Sequence, residues 1–235
     1  MMEQVLYFAR RLAEDGDHIT NIVYMGMGEP FLNYDAVMPS VRLVTERAGF
    51  NLGARHITIS PSGVVPGIAK FTAEDTQVGL AVSLHAANDD LRSQLVPLNK
   101  RYAVRELITA CRTYVRTTTR RISFEYTMLA GVNDGPEHAA DLARLLRGMI
   151  CHINLIPWNH VDGLHFQPSS RDAILDFRDM LANYGLPVTV RDTRGSRITA
   201  ACGQLRTITV RRQRSSEGNS GETSPGSSED SRDSS

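Results

Sequence analysis

Four short segments of this chain place chemically capable side chains directly after runs of strand-length apolar residues, and a fifth places one in a turn before the last such run. The first, Tyr24-Met25-Gly26-Met27-Gly28-Glu29-Pro30, sets a carboxylate beside two glycines, which let a ligand approach the main chain closely. The second, Ile57-Thr58-Ile59-Ser60-Pro61-Ser62-Gly63, offers hydroxyls that either bind an anion or cap the following turn. In the third, Ala81-Val82-Ser83-Leu84-His85-Ala86, a hydroxyl and an imidazole stand at a strand end. The fourth, Ile156-Pro157-Trp158-Asn159, ends on an amide, and the fifth, Ala200-Ala201-Cys202-Gly203-Gln204, holds a thiol between small residues. Taken singly, the first, second, third and fifth have plain structural readings: a tight turn, a helix cap, a hydrogen-bonded histidine, a small buried cysteine.

The elements that must position these segments alternate in type. Strands are expected near Asn21 to Met25, Arg55 to Ser60, Gly79 to Leu84, Arg121 to Met128 and His152 to Ile156. Helices are expected at Met2 to Glu14, Tyr34 to Ala48, Val104 to Arg116, Pro136 to Arg147 and Ser170 to Asn183. Ile174, Phe177, Leu181 and Tyr184 recur every three or four residues and fall on one helix face. Such βα repeats predict an α/β fold with a parallel sheet, whose chemistry collects at the carboxyl ends of the strands. Pro187 to Arg191 and Leu205 to Val210 read as two later strands, set apart from the five. The total is too small for a closed eight-stranded barrel.

The 235 residues carry 26 basic and 26 acidic side chains, but the balance conceals two regions. Residues 215–235 hold nine Ser, three Gly, one Pro, five acids and one Arg with no apolar side chain able to join a core, a disordered composition. The remainder carries 25 basic against 21 acidic groups, with Arg191, Arg194, Arg197, Arg206, Arg211, Arg212 and Arg214 concentrated near its end. That supports a polyanionic partner without proving one. No run approaches the roughly 18 apolar residues of a membrane span, and no secretory leader is seen, so a cytoplasmic protein without membrane partners is expected. Cys111, Cys151 and Cys202 give neither the close spacing of a metal motif nor the even set of a disulfide framework.

Together the five segments, with Val132 to His138 reading V-N-D-G-P-E-H, resemble the RlmN/Cfr type of radical S-adenosylmethionine (SAM) RNA methyltransferase, and most closely its RlmN branch. The phrases M-G-M-G-E-P, S-L-H-A, L-I-P-W-N and A-A-C-G-Q-L carry the likeness from about Asn21 to Val210. It implies methylation of C2 of an adenosine in 23S rRNA and in tRNA. It further implies that Gly28, Glu29, Ser60, Ser83, Leu84, His85 and Asn159 hold SAM and that Cys202 is the catalytic methyl carrier. The family's route runs through a methyl-cysteine intermediate, from which a 5′-deoxyadenosyl radical made at a [4Fe-4S] cluster takes hydrogen. Dividing the reaction this way suits a carbon that is no nucleophile.

The family's Cys-x-x-x-Cys-x-x-Cys cluster loop is not in this sequence, so no metal ligand is assigned. The expected architecture is a partial (β/α)6 radical SAM barrel lacking its first strand and cluster loop, with an incomplete core over residues 1–210 and an Arg-rich then Ser-rich disordered tail over 211–235. The chain reads as an N-terminally truncated copy, inactive by itself, of a monomeric enzyme served by an external one-electron donor. The alternative is a non-catalytic RNA-binding or regulatory remnant of the same fold.

Overall fold

β-branched and aromatic residues dominate the strand segments, while apolar residues spaced by three and four build the helices between them. The computed structural model describes residues 1–26, 28–159 and 165–191. Its order is α1 (Met2–Glu14), β1 (Ile22–Tyr24), α2 (Tyr34–Thr45), β2 (Ile57–Ile59), α3 (Val65–Thr72), β3 (Gly79–Ser83), α4 (Asp89–Leu95), α5 (Val104–Thr118), β4 (Ile122–Met128), α6 (Pro136–Leu146), β5 (Cys151–Pro157), α7 (Arg171–Asn183) and β6 (Val188–Val190).

All six strands are parallel and pair in sequence order, β1 to β6. Each crossover steps one strand in the same direction, so right-handed connections put successive helices on one face of the sheet. The burial pattern fits that layering. On β4, Ile122, Phe124, Tyr126 and Met128 are fully buried, and the ring of Tyr126 stacks on Phe177 of α7 at 5.3 Å. The alternate residues point to the opposite face, where register aligns Ser83, Glu125, Asn154 and Thr189 in one row across β3 to β6. A polar row on the face away from the helices is what an open barrel offers to a ligand.

Pro187 to Arg191, set apart in the sequence reading, supplies a sixth strand of the same series, because α7 returns the chain to the sheet and Val188–Val190 pairs parallel with β5. Helices α3 and α4 had not been foreseen. Helix α2 stops at Thr45, three residues before the expected end, where Glu46 takes extended backbone. Leu205 to Val210 and the tail lie outside the described residues. Among the described residues no helix is long and apolar enough to cross a membrane.

The helix layer packs tightly enough to give one position a definite sign. A Cβ on Gly67 of α3 would lie 2.4 Å from Phe31 Cβ and 2.8 Å from its Cγ, and Phe31 is itself buried. Glycine to alanine in an open helix stabilises by about 0.5–1 kcal/mol. Here the clash wins, and Gly67→Ala is expected to lose about 1–3 kcal/mol. A thermal melt at or above the wild-type midpoint would show that Phe31 yields at little cost.

Candidate active site at the carboxyl ends of the strands

The ends of β1 to β4 are stitched together in order by hydrogen bonds that begin at Glu29. Past β1, Gly26 and Gly28 take φ of 156° and 85°, values that favour glycine, and the chain turns so that Glu29 caps the single 3-10 turn Pro30–Leu32. Its Oε1 accepts from Phe31 N at 3.1 Å and its Oε2 from Ser62 N at 2.6 Å, which ties the turn after β1 to the turn after β2. Burial pushes the Glu29 carboxyl above its ordinary value, with the bonds from Ser62 and Phe31 opposing that rise. The acceptor capacity of this carboxylate that the protein leaves unused is open to a ligand.

The turn after β2 is tied in the same way to the turn after β3. Arg92 of α4 reaches between them, fully buried, donating from Nη2 to Ser62 O at 2.6 Å and Ser83 O at 3.1 Å and from Nε to Leu84 O at 3.0 Å. Its Nη1 donates to Asn99 Oδ1 at 2.9 Å. Burial lowers the guanidinium to about 10, so it stays charged at neutral pH. The hydroxyls of this segment do not cap α3, whose N-cap is Val64 with no side-chain bond. The Ser60 hydroxyl is buried and has no protein partner among the described residues, an unsatisfied group of the kind that binding sites leave open.

β3 joins β4 through a residue in an uncommon conformation. His85 takes φ of 61°, a left-handed backbone that costs a non-glycine residue on the order of 1 kcal/mol. It is held there because Leu84 N and His85 N both donate to Glu125 O, at 3.0 and 3.4 Å, and His85 O accepts from Asn133 Nδ2 at 3.0 Å. His85 Nδ1 accepts from Thr127 N at 3.1 Å, which leaves the ring neutral with its proton on Nε2, a donor at the strand edge. Burial, aided by the Arg92 charge, lowers this imidazole to about 4.

Glu29, Ser60, Ser83 and His85 gather at adjoining strand ends, with Gly28 beside them and Asn159 just past β5. The side chain of Leu84 is fully buried and its N–H and C=O are bonded within the protein, so it contributes by fixing its neighbours. Cys202 lies outside the described residues.

Three positioning residues escaped the sequence reading: Arg92, Asn133 and Glu125. Glu125 is 3% exposed, accepts from Asn154 Nδ2 at 2.8 Å, and lies 3.6 Å from Arg191 Nη1. Burial raises its carboxyl, while Asn154 and Arg191 oppose the rise.

The donor set suits a ligand with an ammonium, a carboxylate and hydroxyls, as SAM has: a carboxylate, an open hydroxyl, an imidazole N–H and glycine main chain. It does not suit an iron–sulfur cluster. The thiols of Cys111 and Cys151 are buried in the core, and burial pushes them up to about 12 and about 11. No three metal-ligating side chains gather among the described residues.

The Radical SAM superfamily profile matches residues 2–143, more than half the chain. The chain belongs to the radical SAM superfamily. A "Probable dual-specificity RNA methyltransferase RlmN" from Caldanaerobacter subterraneus subsp. tengcongensis is 49% identical over 208 residues, 88% of this chain and 59% of the relative. A "Ribosomal RNA large subunit methyltransferase N" from Nitrosopumilus maritimus is 48% identical over 210 residues, 89% of this chain and 60% of the relative. The radical SAM methyltransferase structure from Sphaerobacter thermophilus superposes with a TM-score of 0.85 at 55% identity, covering 87% of this chain and 60% of that one. A domain of pyruvate-formate lyase-activating enzyme from Bacteroides vulgatus shares the fold, with a TM-score of 0.58 at 14% identity. The chain thus spans about three fifths of the length of these RlmN relatives.

Proposed function

We propose that this chain is the SAM-binding and methyl-carrying part of an RlmN-type RNA methyltransferase acting on C2 of an adenosine in 23S rRNA and in tRNA. The observation that carries the reading is the stitched run of strand ends, with the Glu29 carboxylate and the unpartnered Ser60 hydroxyl held between β1 and β3. Gly28 lets the ligand approach the main chain, and Glu29 faces its ammonium. Ser60, Ser83 and the His85 Nε2–H supply polar contacts at the neighbouring strand ends, and Asn159 adds an amide past β5. When bound, SAM supplies an electrophilic methyl on a sulfonium. Cys202 is assigned the role of methyl acceptor and carrier. A cytoplasmic, monomeric enzyme with an external one-electron donor belongs to the same proposal.

The test is a pair of titrations on the chain. SAM carrying a labelled methyl is expected to bind, and Glu29→Gln to weaken it about tenfold, because Gln turns one of two engaged oxygens into a donor facing a backbone N–H. Equal retention in both proteins would remove Glu29 from the site. A 23S rRNA fragment titrated at two salt concentrations then examines the alternative suggested by the arginines near the C-terminal end. RNA binding with steep salt dependence and no uptake of SAM would favour the non-catalytic remnant.

A further inference from the structure

We propose that Arg92 is a positioning residue for the strand-end pocket, its guanidinium holding the carbonyls of Ser62, Ser83 and Leu84 so that the turns after β2 and β3 keep the spacing and aim the ligand needs. This inference rests on the SAM reading of the site and adds to it a residue that touches no ligand.

The geometry is unusual for a buried cation. All four hydrogen bonds from Arg92 go to neutral oxygens, three of them main-chain carbonyls on two different strand ends. A buried guanidinium persists only where its N–H groups are satisfied, and a planar fork does this where an ammonium does not.

The consequence lies in the two peptide groups between Ser83 and His85. Each has its carbonyl on Arg92 and its N–H on Glu125 O, so both are pinned at both ends. Pinning them is what holds His85 in its left-handed backbone and presents its Nε2–H at the strand edge. On the other side, the bond to Ser62 O fixes the peptide next to the one whose N–H binds Glu29.

The clamp is itself anchored. Asn99, which receives Arg92 Nη1, donates to Asp89 Oδ1 at 2.9 Å and to Ser93 Oγ at 2.9 Å. The same Asp89 oxygen accepts from Val104 N at 2.7 Å, so the start of α5 also bears on it. Space for the guanidinium depends on Gly63, where a Cβ would come within 3.3 Å of Arg92 Nη2.

Arg92→Lys keeps the charge and removes the fork. In the variant, amide exchange at Leu84 and His85 is expected to quicken at least tenfold, and SAM is expected to bind at least tenfold more weakly. A control, Leu181→Ala, loosens α7 in the core and is expected to leave SAM affinity within twofold of wild type. Unchanged exchange at Leu84 and His85 overturns the proposal, and so does faster exchange with unchanged SAM affinity, since the clamp would then be structural alone. A wild-type chain that takes no SAM overturns the ligand reading and the positioning role with it, whereas wild-type binding that Arg92→Lys leaves unchanged overturns the positioning role alone. If Arg92→Lys does not fold, Asn99→Ala keeps the guanidinium and takes one of its acceptors. About threefold faster exchange and threefold weaker SAM binding are then expected, and no change in either overturns the proposal.

Discussion

Asn133→Ala is expected to destabilise the chain by about 3–5 kcal/mol, read as a thermal midpoint roughly 10 °C lower. Asn133 is fully buried in the turn between β4 and α6, and its side chain satisfies three main-chain groups at once. Nδ2 donates to Thr127 O at 2.7 Å and to His85 O at 3.0 Å, while Oδ1 accepts from Leu129 N at 2.8 Å. Alanine leaves all three without a protein partner, and each such group costs about 1–3 kcal/mol where water does not replace the lost bond. Tyr126, whose hydroxyl donates to Asn133 O at 2.8 Å, keeps its bond in the variant, since that acceptor is main chain. The loss therefore falls on the link between β4 and His85. Amide exchange at Leu129 should rise with it, and a midpoint within 2 °C of wild type would mean that water replaces the side chain.

That residue shows what the sequence does and does not disclose. Strands β4 and β5 were legible because seven-residue apolar runs with alternating polar positions leave little choice of structure, and α1 matched from Met2 to Glu14 because its apolar residues recur at the helical period. Helix α4 was not legible because its seven residues hold only two apolar side chains, Leu91 and Leu95, too few to betray a period, and because it buries a charged residue, Arg92. A start signal was present all the same. Asn88 accepts from Leu91 N as a cap, and two acids follow it in the first turn. Helix α3 was hidden by Pro66 and Gly67 inside eight residues, although proline suits a first turn.

The site divides along the same line. Glu29, Ser60, Ser83 and His85 were legible as polar residues at strand ends, where parallel α/β sheets collect their chemistry, but their assignment to a ligand came from the resemblance alone. The stitching could not, because most of its acceptors are backbone carbonyls, which every residue carries and no sequence distinguishes. Asn133 stood in a motif that marked the resemblance, yet nothing in V-N-D-G-P-E-H says that an amide there reaches back to His85.

His85 should make the chain lose stability as the pH falls from about 6.5 toward 4. Its folded value of about 4 lies below the ordinary 6.5 of the unfolded chain, so the unfolded chain takes the proton first. The contribution is fully present above about 6.5 and is lost as the pH falls through the folded value, with a limit of about 3 kcal/mol. Protonation at Nδ1 would set a donor against the Thr127 N–H, and the added charge would face Arg92, which explains the direction physically. Glu29 and Glu125 act with the opposite sign, since their raised folded values favour the folded state at low pH. The bare melting curve therefore mixes the two. The difference between wild type and His85→Gln separates them, because both proteins keep the carboxylates. The fall in melting midpoint between pH 7 and pH 4.5 is expected to be about 5 °C or more smaller in the variant. A nuclear magnetic resonance titration of the His85 ring should show no midpoint above pH 5. A midpoint near 6.5 would mean that the ring is not held against Thr127 in solution, and the strand-edge donor assigned to it would be lost with that contact.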